Sequence, residues 1–234
     1  MSTLAIASKL KKDAEQKLRD MGCEIIDFIP NPNVDKRIAH HSDLSFFAYG
    51  NDIFIAREME YLAQKLVSYG FNVHIEPDYL GVSYPCDVRL NCVAFGDYFL
   101  CNESTVSASV LRFFKENGKT VINVNQGYTK CSVIPVSDNA IITDDISIAK
   151  ACRKYGIDVL EVSKGNVILE GYDYGFIGGT AGVLNDIIVF NGDILTHPDG
   201  NRVVDFVNAQ NKTHLSLAEG ELEDTGSIIF LKDD

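Results

Sequence analysis

The chain has 234 residues, a formal net charge of -12 and an isoelectric point of about 4.8. That length supports a self-sufficient core without disulfide or metal staples. The negative balance argues against nucleic acid or an anionic membrane as partner and favours cationic ligands. The six cysteines make no Cys-x-x-Cys pair and no zinc spacing with histidine. The first residues lack the basic start and apolar stretch of a signal peptide, and no run approaches the ~20 apolar residues of a membrane span. A reducing cytoplasm is the expected compartment.

In chain order, the elements repeat. Residues 3–6 read as a strand, 9–21 as a helix closed by Gly22, and 24–28 as a second strand. From there the pattern is strand, tight turn, strand, helix, strand. Gly50-Asn51-Asp52, Gly96-Asp97, Asp138-Asn139 and Asn191-Gly192-Asp193 each precede an apolar run, and these residue types suit two-residue hairpin turns. The intervals between these turns are 46, 42 and 54 residues. Residues 58–67, 107–117 and 146–155 carry helical periodicity and end at Gly70, Gly118 and Gly156, each followed by a short β-run. A fourth helix, 201–209, lacks such a glycine. Residues 226–231 form a last strand with nothing after it.

The orphan last strand needs the partner that the first strand can supply. Pairing them closes a ring of five ββαβ-like units, approximately 38–77, 85–124, 127–162, 176–217 and 222–234 with 1–30, as a single α/β domain over 1–234 without an unpaired edge. A doubly wound sheet predicts one strand per helix, whereas about three per helix are read here.

One stretch stands out for chemistry. Gln126 to Val136 delivers Cys131 from a glycine turn to the mouth of a β-run, as a nucleophile is delivered. A buried cysteine at a strand start reads the same way locally. His41 beside His40 reads as a base or as an exposed turn, Asp43 as a site acid or a turn cap, and Glu221, Glu223 and Asp224 as cation ligands or a solvated acidic loop. Arg89 either holds a substrate carboxylate or pairs with Asp87. Gly178-Gly179 lacks the Gly-Lys-Ser/Thr of a phosphate loop and reads as a tight turn. Cys86, Cys92, Cys101 and Cys152 read as structural, and His197 and His214 as surface residues.

A ring of five such units resembles the pentein superfamily, the five-bladed αβ-propellers. It includes arginine and agmatine deiminases, dimethylarginine dimethylaminohydrolase, amidinotransferases and a non-catalytic ribosome anti-association factor. His41-Ser42-Asp43-Leu44-Ser45-Phe46 is similar to the deiminase His-x-Asp segment. Gly127-Tyr128-Thr129-Lys130-Cys131-Ser132-Val133 is similar to the nucleophile segment of the dimethylarginine hydrolases, and Arg89-Leu90-Asn91-Cys92-Val93 to the unit between. His41 and Cys131 are 90 residues apart, two units, as base and nucleophile are in the family. Two stretches depart from its pattern: Glu221-Leu222-Glu223-Asp224-Thr225-Gly226 lacks the glycine pair of the Glu-Gly-Gly-Asp segment, and Gly178-Gly179-Thr180-Ala181-Gly182 stands where another acid is usual.

The resemblance implies a closed pentein propeller acting on a guanidine- or amidine-bearing small cation without cofactor or metal. Cys131 would attack the central carbon, and His41 would serve as acid and then base. Asp43, Glu221, Glu223 or Asp224 would hold the cation, and Arg89 would contact the remainder of the substrate. An amidinotransferase shares the cysteine intermediate. A binding protein on the same ring is the alternative outside catalysis, and a net negative charge fits poorly with ribosomal RNA. Oligomeric state is not legible.

Overall fold

The structure, a computed structural model, describes residues 3–231. Those residues form five three-stranded sheets of one design. An antiparallel pair supplies two strands, and a helical crossover returns a third strand parallel to the second. β1 (Thr3–Ile6), α1 (Lys12–Asp20) and β2 (Cys23–Ile26) open the chain. A one-turn helix, α2 (Ser42–Ser45), leads into β3 (Phe46–Tyr49), β4 (Asp52–Ile55), α3 (Ala63–Ser68) and β5 (Asn72–Ile75). Next come β6 (Val93–Phe95), β7 (Tyr98–Cys101), α4 (Ala108–Glu116) and β8 (Thr120–Asn123). β9 (Val133–Ser137), β10 (Ala140–Thr143), α5 (Ile146–Arg153) and β11 (Asp158–Glu161) follow. β12 (Ala181–Leu184), β13 (Ile187–Phe190), α6 (Gly200–Ala209), β14 (Thr213–Ser216) and β15 (Ile229–Leu231) complete the described chain.

The expected pairing of the two chain ends is present: β15 runs antiparallel to β1, with Leu4 opposite Leu231 and Ile6 opposite Ile229. Residues 1–2 and 232–234 of the fifth unit lie outside the described residues.

Three hairpin turns fall where the sequence places them; the fourth does not. Asn191-Gly192-Asp193 lies after β13, not before it, and the hairpin turn is Asn185-Asp186, with Asn185 at φ 55°. Asparagine tolerates the left-handed conformation, so it takes the part that Gly50 and Gly96 play in the β3–β4 and β6–β7 turns. With that register the long interval shortens to 47 residues, in line with its neighbours. Asn211, at φ 56°, similarly stands where the α6 end lacks a glycine. The helix expected over 58–67 begins instead as a 3-10 stretch, Arg57–Leu62, before α3.

The crossovers pack by their apolar faces. In α4, Val110 and Phe114 are buried, and the Phe114 ring stacks on Phe99 of β7 at 4.1 Å. Burying a side chain of this size contributes roughly 1.5–3 kcal/mol. Asp145 caps α5 by accepting from the amides of Ser147 and Ile148.

The five antiparallel pairs meet at one place: residues of β3, β6, β9, β12 and β15 line one shared cavity of about 150 Å³. The segments entering those five strands therefore gather at one place, and they carry His41 and Asp43, Asn91, Cys131, Gly178-Gly179 and Asp224. Among the described residues, no helix is long and apolar enough to cross a membrane.

Candidate active site

Cys131 precedes β9 in a loop shaped by its own polar groups. The Tyr128 amide donates to Gln126 Oε1 (3.0 Å), and the Ser132 amide closes on the Tyr128 carbonyl (3.1 Å). Asn91, from the segment entering β6, clamps the turn. Its Oδ1 accepts from the amides of Lys130 (2.7 Å) and Cys131 (3.2 Å). Its Nδ2 donates to Cys131 Sγ (3.1 Å) and to the Asp43 carbonyl (3.2 Å). Asn91 was not among the expected site residues. The available signal was its position, at the strand entrance that the other candidates occupy in their own units.

His41 and Asp43 are set by α2 against the segment entering β15. The Asp43 amide donates to the Gly226 carbonyl (2.9 Å), and Ser42 Oγ reaches the carbonyls of Gly226 and Ser227 (both 2.7 Å). Gly226 sits at φ 76°, and a Cβ there would lie 2.3 Å from His41 Cα. Only glycine satisfies both the conformation and the approach. Asp43 Oδ2 accepts from Cys131 Sγ (3.3 Å) and Ser227 Oγ (2.7 Å), and Lys130 Nζ donates to that same Ser227 Oγ (2.9 Å).

The result is a buried polar floor. Cys131, His41, Asp43 and Asp224 are each 1–3% exposed. A ring nitrogen of His41, a carboxylate oxygen of Asp43 and the sulfur of Cys131 all lie within 4.8 Å of one another. Among the described residues, this is the cluster whose donors converge closely enough to hold a metal ion. His41 Nε2 and Asp43 Oδ1 have no hydrogen-bond partner. Such buried groups are costly unless something completes them.

Asp224 completes the floor. Its Oδ2 accepts from the Phe176 amide (2.9 Å) and its Oδ1 from the Gly226 amide (3.0 Å), leaving further lone pairs free. His41 Nδ1 is 3.7 Å from Asp224 Oδ1, too long for a hydrogen bond. The Gly178-Gly179 stretch, read as a tight turn, is a short 3-10 turn with a second role. The Gly179 amide donates to the Cys131 carbonyl (2.9 Å), and a Cβ on Gly179 would stand 1.9 Å from Asp224 Oδ1. The glycines that replace the expected acid make room for Asp224 and dock the Cys131 loop.

Burial governs the charges. It pushes His41 down to about 4, although the neighbouring Asp43 carboxylate pulls the other way. Burial pushes Asp224 up to about 6 against the two amides it accepts from. It raises Asp43 as well, opposed by His41 and by the Lys130 ammonium. Burial, reinforced by the negative charges of Asp43 and Asp224, lifts the Cys131 thiol well above its ordinary range. The floor without a ligand therefore keeps a thiol and a neutral imidazole at pH 7.

This floor opens into a cavity of about 280 Å³. His41, Cys131, Asp224 and Asp173 supply its polar lining, and Ile38, Tyr128, Leu169, Tyr172, Tyr174 and Phe176 supply apolar wall.

Residues 5–229 match the sequence model of the family of unknown function DUF6873. The chain belongs to that family. No curated protein sequence matches this DUF6873 protein. Solved structures do, at the level of the fold. A dimethylarginine dimethylaminohydrolase from Pseudomonas aeruginosa, complexed with citrulline, superposes with a TM-score of 0.59 at 11% identity over 93% of this chain and 92% of its own. The arginine dihydrolase ArgZ of the cyanobacterial ornithine–ammonia cycle gives 0.61 at 10% identity, over 100% of this chain and 40% of its own. The amidinotransferase SxtG from Microseira wollei, of the saxitoxin biosynthetic pathway, gives 0.53 at 10% identity, over 87% and 72%. The DUF6873 protein thus shares the pentein fold of these structures.

Of the other expected site residues, Glu221 and Glu223 are not brought to the cavity. Glu221 is exposed, with its carbonyl held by Lys11 Nζ (2.8 Å), and Glu223 is half-buried outside the lining. Asp224 alone of the three acids turns in. Arg89 is also drawn away: its guanidinium pairs with Asp78 at 2.8 Å, not with Asp87, which accepts instead from the Tyr128 hydroxyl at 2.6 Å. His197 is buried, accepting from the Asp199 amide, and is not a surface residue. Cys86 is exposed.

Proposed function

We propose that the DUF6873 protein is a cysteine-dependent hydrolase of a guanidine- or amidine-bearing small molecule, built as one closed five-bladed ring. The observation that carries this reading is the convergence of Cys131, His41 and Asp43 within 4.8 Å on the floor of a cavity that Asp224 also lines. The cavity shared by β3, β6, β9, β12 and β15 supports the closed ring.

A guanidinium bound at the floor brings the positive charge that the buried acids lack. Asp224 has lone pairs to accept two N–H groups in parallel. The cation lowers the cost of ionising Cys131, whose proton passes to the neutral His41 and makes it an imidazolium. The thiolate adds to the central carbon. The departing amine takes a proton from His41, leaving an amidino thioether on Cys131. His41 then accepts a proton from water as its oxygen attacks the same carbon, and the carbon–sulfur bond breaks to release a ureido or amide product.

Alkylation tests the reading. Neutral iodoacetamide should modify exposed Cys86 first, because accessibility decides that reaction. 2-Chloroacetamidine, a guanidine mimic, should modify Cys131 first, and this preference should disappear in His41→Ala. Mass spectrometry that finds Cys86 ahead of Cys131 with both reagents would rule out an activated nucleophile. Turnover with amine acceptors in place of water would move the assignment to an amidinotransferase.

A further inference from the structure

The cavity above the floor is more particular than the floor itself. Its walls are aromatic. Phe176 stacks on Tyr128 at 6.0 Å with 24° between the rings, and Tyr174 meets the Phe176 edge at 6.4 Å and 86°. Tyr172 and Tyr174 are 39% and 41% exposed although they line a concave surface, so ring area is open to a ligand. Two buried carboxylates anchor this wall. Asp224 accepts from the Phe176 amide, and Asp144 accepts from the next amide, Ile177 (3.2 Å). The wall is thus fixed to the residue that would hold the cation.

Among the described residues, none that line the cavity is lysine or arginine, and the Lys130 ammonium under the floor is tied to Ser227 Oγ (2.9 Å) and the Gly178 carbonyl (3.3 Å). The nearby arginines are already occupied. Arg89 pairs with Asp78. Arg37 is paired with Asp35 (2.6 Å), donates to the Gly171 carbonyl (3.0 Å), and lies over the Tyr172 ring, 4.2 Å from its centroid. A ligand carboxylate entering here would lose its water, find no partner, and meet Asp173 and Asp224 as like charges.

We propose that this site takes a guanidine or amidine carried on an aromatic or apolar body, and that it rejects α-amino acids such as arginine. The inference rests on the guanidine-directed reading of the floor and names the class of molecule that the rest of the cavity fits. The cationic head lies on Asp224 between His41 and Cys131, and the ring lies against the open ring area of Tyr172 and Tyr174. A cavity of about 280 Å³ accommodates one ring with its head group.

Calorimetric titration of Cys131→Ser, which cannot turn a substrate over, separates the contributions. Phenylguanidine, agmatine and arginine are the probes: the second removes the ring, and the third adds a carboxylate to the second. The expected order is phenylguanidine over agmatine over arginine, with about tenfold or more between the extremes. Tyr174→Ala in the same background should weaken phenylguanidine by about fivefold and agmatine by less than about twofold. In the unmodified chain, the same order should appear as protection of Cys131 from 2-chloroacetamidine. Arginine binding as tightly as phenylguanidine, or agmatine binding more tightly, would overturn the inference and leave the guanidine reading standing. Absence of binding by all three would overturn both.

Discussion

Placing alanine at Gly179 strikes the point where the Cys131 loop, Asp224 and the segment entering β15 interlock. The new Cβ would lie 1.9 Å from Asp224 Oδ1, 2.4 Å from its Cγ and 2.8 Å from Oδ2. The Gly179 backbone cannot easily withdraw. Its amide donates to the Cys131 carbonyl, and its carbonyl accepts from the amides of Thr225 (3.1 Å) and Ser227 (2.8 Å). The carboxylate must therefore move, releasing the amides of Phe176 and Gly226. Overpacking of this kind costs about 1–3 kcal/mol, and a buried donor left unpaired costs a similar amount. We expect a loss of about 2–4 kcal/mol, which in a chain of this size lowers Tm by roughly 5–15 °C. Scanning calorimetry of Gly179→Ala, Asp224→Ala and the double variant isolates the collision. Asp224→Ala removes the three atoms nearest the new Cβ, so the double variant should lose at least about 1 kcal/mol less than the singles added together. Additive losses, or a Gly179→Ala Tm within about 1 °C of the parent, would refute the interlock.

Lys130→Met removes the ammonium that reaches Asp43 through Ser227, so the Asp43 and Cys131 anions lose a compensating charge; labelling of Cys131 by 2-chloroacetamidine at pH 7 should slow by about tenfold, with its pH profile displaced upward, and Lys130→Arg should keep most of the rate. Burial holds His40 down to about 3 and His41 down to about 4, so their contribution to stability is complete above the unfolded value of 6.5 and is lost as pH falls towards those values. Asp224, held up to about 6, acts in the opposite sense between 3.8 and 6, because the folded chain binds its proton first. Melting curves from pH 7 to 4 should therefore show a shallower acid loss in His40→Gln than in the parent, and equal slopes would show that His40 does not titrate in this way. Arg89→Ala breaks only a partly exposed pair with Asp78; thermal melts should show a loss under about 1 kcal/mol, and Cys131 labelling should be unchanged.

Much of the architecture is written in short-range pattern. Turn residues between apolar runs and helical periodicity before a glycine are satisfied within a dozen residues, so the ββαβ repeat is legible from the chain alone, and the pairing of residues 4–6 with 229–231 follows from the strand that the repeat leaves without a partner. The pattern misleads where a substitute does the same work. Asn185 turns the fourth hairpin at positive φ, while the more conspicuous Asn191-Gly192-Asp193 follows the second strand.

The site divides along the same line. Which residue types stand at the strand entrances is a property of the sequence; which of them face one another is not. Residues 221–224 alternate, with Leu222 and Asp224 buried, Glu221 exposed and Glu223 half-buried, so one acid of three reaches the cavity. Arg89 resembles a carboxylate ligand until Asp78, at the surface, takes its guanidinium. Asn91, Lys130 and Gly179 gain their roles only from partners 39 to 97 positions away in the chain. Local sequence determines backbone conformation because the forces involved are local. The direction a side chain faces, and the charge it holds there, depend on desolvation and neighbours that exist only once the five units are packed together.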